Sequence, residues 1–178
     1  MEKSFVFAGF GGQGVILAGK LLAQAGADYG LEVTWLPSYG PEMRGGTANC
    51  TVVLSDEPIG SPVVDNPTAL IAMNLPSLDR FERTVAEAGI IVANSSLIAR
   101  PTERNDVRAL SVQANDIAAS LGNSRAANMV ALGAVIKATG IIQLELIKST
   151  MARILGHKDS AKLIAVNEQA LDAGYNAV

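Results

Sequence analysis

The first thirty residues constrain this chain more than any other stretch. The apolar run Ser4-Phe5-Val6-Phe7-Ala8 is closed by Gly9-Phe10-Gly11-Gly12-Gln13-Gly14, and an apolar segment of helical length, Val15 to Gly30, follows at once. A short buried strand, a glycine turn and a helix form the opening unit of an α/β sheet, because the turn returns the helix across the strand it leaves. Along that helix Val15, Gly19, Leu22 and Gly26 recur at three- and four-residue spacing, so one face is smooth. Gly19 and Gly26 each lower helix propensity by roughly 1 kcal/mol relative to alanine, a cost that close packing on a sheet offsets. The spacing Gly9-x-Gly11-x-x-Gly14 also matches a dinucleotide fingerprint, in which glycines let backbone amides and a helix N-terminus approach an anionic group.

Further strands are expected at Glu32–Leu36, Thr47–Ser55, Ala69–Met73, Ile90–Ala93 and Val107–Val112. The Thr/Val alternation of Thr47–Ser55 predicts an antiparallel excursion, with Asp56-Glu57-Pro58 turning into a short returning segment at Ile59. Pro37 to Gly46 reads as an ordered loop, and Pro76 suits the first turn of a helix running through Phe81, Val85 and Ala86. The remainder is helical: Asn115–Leu121, Ala126–Thr139, Gln143–Leu155 and Ser160–Ala173. Strand–helix alternation followed by helices predicts a three-layer α/β/α domain spanning residues 1–178, with a mixed, mostly parallel central sheet and a helical C-terminal part.

Composition narrows the function classes. Charged residues make up 17% of the chain and the net charge is -3, with no Lys/Arg run, so nucleic acid is not an expected partner. The smoothest stretch, 126–142, is interrupted by Asn128, Lys137 and Gly140 and falls short of the roughly 20 apolar residues of a membrane span. No membrane association is expected, and the start Met-Glu-Lys-Ser, running straight into a strand, fits a cytoplasmic protein. Cys50 is the sole cysteine and His157 the sole histidine. An iron–sulfur cluster ordinarily needs four thiolates, so this chain does not hold one by itself, and no metal site or Ser/His/Asp set is expected. Cys50 reads as a small core residue, His157 as a solvated turn residue, and Asn128 as a first-turn capping group or partner contact.

In open α/β sheets ligands gather beyond the carboxyl ends of strands. There Gln13, Tyr39, Glu42, Arg44, Asn74 and Asn94 are expected to ring a groove floored by glycine. A nicotinamide or flavin nucleotide requires an acid at the end of the second strand, yet Glu32 stands at its start and Leu36-Pro37-Ser38 at its end. Arg44-Gly45-Gly46 instead sets a fixed cation beside two residues that permit close backbone approach, which suits a phosphate or carboxylate.

The segments "GFGGQGVILAGKLLA", "SYGPEMRGGTANCTVVLSDEPIGSPVV", "NLPSLDRF" and "NMVALGAV" occur in this order along nearly the whole chain. In them the chain resembles the gamma subunit of 2-oxoacid:ferredoxin oxidoreductases, with the 2-oxoglutarate and branched-chain members nearest in pattern. The resemblance implies an assembly in which thiamine diphosphate with Mg2+ decarboxylates a 2-oxo acid, iron–sulfur clusters pass electrons to ferredoxin, and coenzyme A takes the acyl group. Those cofactors would sit mainly on companion alpha and beta subunits and often a small ferredoxin-like delta subunit, with none bound by this chain alone. It further implies that Gly11, Gly12, Gln13 and Gly14, together with Arg44, Gly45 and Gly46, face the boundary of the coenzyme A and thiamine sites. Tyr39, Glu42 and Asn74 join them as cofactor-facing candidates through their place at the sheet edge. Pyruvate, 2-oxoglutarate, branched-chain and aryl 2-oxo acids stay open as substrates. Two other readings stand beside this one: a stand-alone NAD(P)- or FAD-binding oxidoreductase, and a non-catalytic interface subunit. When isolated, the chain is expected to pair with itself through the surface meant for partners.

Overall fold

Phe5 and Phe7 point to one side of the first strand and Val6 and Ala8 to the other, and none is more than 4% exposed. Burial on both faces makes this strand, β1 (Glu2–Phe10), the centre of a sheet rather than an edge. The computed structural model describes residues 1–40, 46–156 and 160–178. His157 lies outside them. The sheet order is β2-β3-β1-β4-β5-β6, with β2 at Glu32–Tyr39, β3 at Thr47–Ser55, β4 at Ala69–Ala72, β5 at Ile90–Asn94 and β6 at Arg108–Val112. The β1, β4, β5 and β6 pairings are parallel, while β3 runs antiparallel to both neighbours. The mixed, mostly parallel sheet is as expected, but its antiparallel character arises differently. β3 itself is wedged between β2 and β1, and no strand forms at Ile59. β2 also continues through Pro37 to Tyr39, where a loop was expected. An edge strand tolerates proline because its outer N–H groups have no ladder partner to lose.

The helices are α1 (Val15–Asp28), α2 (Leu75–Phe81), α3 (Ala114–Ser120), α4 (Ala127–Thr139), α5 (Leu144–Leu155) and α6 (Ala161–Asn176). Residues of α1, α3, α4, α5 and α6 share one core with Phe5, Phe7, Val52 and Leu54. On the opposite face Val6, Ala8, Leu70 and Ile91 pack with Leu78 of α2 and with Val85. Among the described residues no helix is long and apolar enough to cross a membrane.

The smooth face of α1 does what its spacing predicts. A Cβ on Gly19 would overlap the Cys50 sulfur, and one on Gly26 would lie 2.5 Å from Leu54 Cδ2. Any larger residue at either point would lift α1 off β3. Cys50 is fully buried there, its Sγ 3.5 Å from the Val15 carbonyl oxygen. Burial pushes the thiol up to about 12, against smaller opposing contacts from Trp35 and Gly19. It is therefore a core group, as expected, and not a nucleophile.

On the other face, the segment after β5 is strapped down by charge. Glu82, only 3% exposed, follows α2 in a 3-10 turn. Its carboxylate accepts from Arg100 Nη2 at 2.6 Å and Thr102 Oγ1 at 3.0 Å, while Arg104 Nη1 donates to the Val85 carbonyl at 2.9 Å. Burial alone would raise the Glu82 carboxyl, but Arg100, the Glu103 amide and Thr102 outweigh it and hold the group below its ordinary 4.5. A depressed carboxylate adds stability that is complete above its unfolded value and is lost as pH falls through the folded one.

Urea unfolding across the acid range should therefore show stability of the natural chain falling as Glu82 protonates. Glu82→Gln should cost roughly 2 kcal/mol at neutral pH and flatten that dependence; equal pH slopes for the two proteins would contradict the assignment. A thiol reagent at mildly alkaline pH should leave Cys50 unmodified in the native chain and titrate it in urea, and prompt native-state reaction would show that α1 does not seal it.

Candidate functional site

The strand directions bring Phe10, Tyr39, Ala72, Asn94 and Val112 to a single edge of the sheet, the carboxyl ends of β1, β2, β4, β5 and β6. The glycine turn rises from this edge. Gly12 and Gly14 have φ of 97° and 73°, the left-handed region that glycine enters without a Cβ penalty. Gly14 is the N-cap of α1, which has neither a side-chain cap nor an acidic residue in its first turn. The first amides of a helix lack intrahelical partners and carry the positive end of its dipole, so this terminus favours an anion.

Gln13 holds the turn in place. Its Oε1 accepts from the Phe10 amide at 2.7 Å and from Asn74 Nδ2 at 2.8 Å, and its Nε2 donates to the Met73 carbonyl at 3.3 Å. Asn74 in turn caps α2, accepting from the Ser77 amide at 2.9 Å. Asn94 continues the chain, with Nδ2 donating to Met73 O at 3.2 Å and Asn115 Oδ1 at 2.7 Å, and Oδ1 accepting from the Ala114 amide at 3.2 Å. The edge residues Gln13, Asn74 and Asn94 are thus brought together as expected, but their amides are largely spent on one another and on backbone. They position the turn. Asn128 behaves likewise: instead of capping its own helix, its Nδ2 donates to the Gly14 carbonyl at 3.0 Å and so fastens α4 to the start of α1.

What remains open is a cleft of about 520 Å³ beside the turn. Gly11, Gly12 and Gly14 form its end, Lys20 of α1 one wall, and Trp35 and Tyr39 of β2 the other. Trp35 is 36% exposed and Tyr39 56%, a large aromatic surface for an edge strand. Tyr39 was expected at this edge; Lys20 and Trp35 were not singled out. The signal for Trp35 in the sequence is its i, i+4 spacing from Tyr39 along one strand, which places both rings on the same side; Lys20 has no such signal. Glu42, Arg44 and Gly45 lie outside the described residues. The described ends of that segment are nevertheless tied to the site, since the Gly11 amide donates to Gly46 O at 2.8 Å and the Gly40 amide to Thr47 O at 2.8 Å. Gly46 therefore meets the glycine turn directly. Among the described residues no group of three or more His, Cys, Asp or Glu is placed to hold a metal ion.

The geometry departs from a dinucleotide fold at a defined point. Glu32, the acid nearest in sequence, pairs with Ser55 at the far end of β2, and β3 separates β2 from β1. The end of the second strand is thereby set one strand further from the glycine turn, and what it brings to the shared cleft is Tyr39 and no acid.

Comparison with known proteins agrees with this architecture. The structure superposes on the gamma subunit of a keto/oxoacid ferredoxin oxidoreductase from Geobacter sulfurreducens with a TM-score of 0.84 at 27% identity, covering 98% of this chain and 97% of that one. A 2-oxoglutarate:ferredoxin oxidoreductase from Magnetococcus marinus, solved with 2-oxoglutarate, coenzyme A and succinyl-CoA bound, gives 0.90 at 26% identity over 99% of this chain and 31% of that one. In sequence, the ketoisovalerate oxidoreductase subunit VorA of Methanothermobacter thermautotrophicus is 46% identical over 97% of this chain, which spans 36% of VorA's length. The 2-oxoglutarate synthase subunit KorC of Methanocaldococcus jannaschii is 36% identical over 82% of this chain and 79% of its own. Residues 4–177 match the family described as pyruvate ferredoxin/flavodoxin oxidoreductase, and with this fold, this turn and these relatives the chain belongs to that family.

Proposed function

We propose that this chain acts as the gamma subunit of a 2-oxoacid:ferredoxin oxidoreductase, a single domain over residues 1–178 that helps form the coenzyme A and thiamine diphosphate cleft of a larger cytoplasmic complex. The observation that carries the reading is the cleft itself: an uncapped helix N-terminus and glycine amides at one end, Lys20 on one wall, and the Trp35 and Tyr39 rings on the other. Coenzyme A pairs phosphates with a flat adenine ring, and this lining offers amides and an ammonium for the first and aromatic faces for the second. Thiamine diphosphate with Mg2+, bound by companion alpha and beta subunits, supplies the decarboxylation, and iron–sulfur clusters, often on a small delta subunit, pass the electrons to ferredoxin. This chain's residues bind and orient. The glycine turn, fixed by Gln13, holds the anion-facing amides still, and Arg44 with Gly45 and Gly46 contributes from the adjoining segment. Glu42 belongs to the same segment, and Asn74 acts behind Gln13. Orientation alone lowers a barrier, so a subunit without a nucleophile or redox centre is still required for turnover. Ketoisovalerate and 2-oxoglutarate, named for the relatives VorA and KorC, are the substrate classes to test first.

In the assembled complex, Lys20→Ala and Arg44→Ala should each raise the apparent KM for coenzyme A by about tenfold, the loss of one charge-assisted phosphate contact, with assembly intact on gel filtration. Unchanged kinetics in both would remove the cleft from the coenzyme A route. Loss of assembly with normal residual turnover would favour the interface-only reading. Titration of the chain with NADH and with FAD should give no stoichiometric complex, and a tight one with either would restore the nucleotide-binding alternative. The isolated chain should run as a dimer through its partner-facing surface, and a monomer at high concentration would refute that.

A further inference from the structure

Strand β2 is one edge of the sheet, and its outer side has no ladder partner among the described residues. The Gly40 amide donates to Thr47 O, so along β2 the backbone groups of even-numbered residues face β3 and those of odd-numbered residues face outward. Pro37 holds an outward position, where its nitrogen has no ladder bond to lose. Val33, Trp35 and Tyr39 therefore present both N–H and C=O along an open edge, and Pro37 presents a C=O.

The side chains do not shield this edge. Proteins commonly blunt a free edge with charge, yet the one charged residue of β2 is Glu32, at its start. Trp35 and Tyr39 are exposed toward the α1 side, and Leu36, on the other face, is 43% exposed. α2 covers that other face over β1 and β4, but no residue of β2 or β3 joins its apolar cluster. On the same face as Leu36 lies Thr34, whose Oγ1 is the one buried side-chain polar atom without a hydrogen-bond partner among the described residues. An orphaned buried hydroxyl is costly unless something reaches it.

We propose that the outer edge of β2 is a contact between two copies of this chain, paired antiparallel about Leu36 so that two six-stranded sheets join into one. In this register Leu36 meets Leu36 of the second copy, Trp35 meets Pro37, Val33 meets Tyr39, and Thr34 meets Ser38. Apolar groups then face apolar groups, and a Thr–Ser pair across strands gives the orphaned hydroxyl its partner. Glu32 meets the uncharged Gly40, so no like charges are opposed. The missing Pro37 N–H leaves one acceptor unpaired on each copy. A register one step toward Trp35 sets the Thr34 hydroxyl against Leu36 and fits less well. The twofold axis of an antiparallel pair is normal to the sheet, so both α1 helices share one face, and the Trp35 and Tyr39 rings of each copy extend the aromatic wall of the other's cleft. This inference names the surface for the self-pairing proposed above and is independent of what the cleft binds.

The test uses the full 178-residue chain with single replacements on the exposed strand. Sedimentation should show a monomer–dimer equilibrium. Leu36→Lys opposes two ammonium groups across the axis and should raise the dissociation constant by about tenfold or more, with an unchanged circular dichroism melt. Leu36→Cys should form a disulfide-linked dimer under mild oxidation, because opposite residues at a non-hydrogen-bonded position are about 4.5 Å apart between Cα atoms, within disulfide reach. Cys50 is fully buried and does not compete. Thr34→Cys alone should not cross-link, whereas a mixture of Thr34→Cys and Ser38→Cys chains should. A dimer that ignores Leu36→Lys and does not link through Leu36→Cys would overturn this surface while keeping self-pairing; a monomer at every concentration would refute both and leave the edge to a companion chain.

Discussion

The glutamine after the second and third turn glycines is the contact on which the working edge of this protein depends. A side-chain amide has an acceptor and two donors, and Gln13 uses them to join its own turn to two points beyond β4. Removing such a hub takes this acceptor from the part-buried Phe10 amide and from Asn74 Nδ2, and unpaired polar groups in a low-dielectric setting are costly. Through Asn74 and Met73 the link reaches Asn94, and through Asn94 it reaches the start of α3. Four segments distant in sequence thereby keep one relative position, and the glycine turn gains a rigidity that its composition denies it.

This arrangement divides the edge into support and surface. Amides that look like ligand groups in the sequence hold the frame, whereas the cleft beside them is lined by the turn glycines, one lysine and two aromatic residues. A site made largely of backbone and fixed charge recognises shape and anionic character. Such a lining suits binding and orienting a ligand, the role proposed above for this chain.

Much of the fold was legible in the sequence because the signals were local. The smooth face of α1 follows from glycine spacing, and its close approach to Cys50 and Leu54 is the packing that spacing anticipates. The buried strands β1, β4 and β5 are short apolar runs, and the capping role of the Asn74 segment is written in Asn-x-Pro-Ser. The sheet order was not legible, since nothing local tells β3 to lie between β2 and β1 rather than outside them. The same gap explains the site. Glycines and edge positions were found from the motif, but Lys20 lines its cleft only through tertiary placement, and Gln13, Asn74 and Asn94 turned inward because one another's amides lay within reach.

The wedged strand β3 has a consequence for how the chain reaches this structure. β1 and β2 precede the other strands of this sheet in the chain, yet in the native sheet they are not neighbours. Direct β1–β2 pairing would be a trap that must reopen before β3 can enter. The antiparallel β2–β3 ladder offers the way round it, because Tyr39 and Ala48 pair across a short connection with little loop-closure entropy. A hairpin formed first can dock as a unit on β1, where Phe5 meets Val52, and the longer-range pairing then follows the local one. The strand order that departs from a dinucleotide fold thus also favours local β2–β3 pairing ahead of the longer-range pairing with β1.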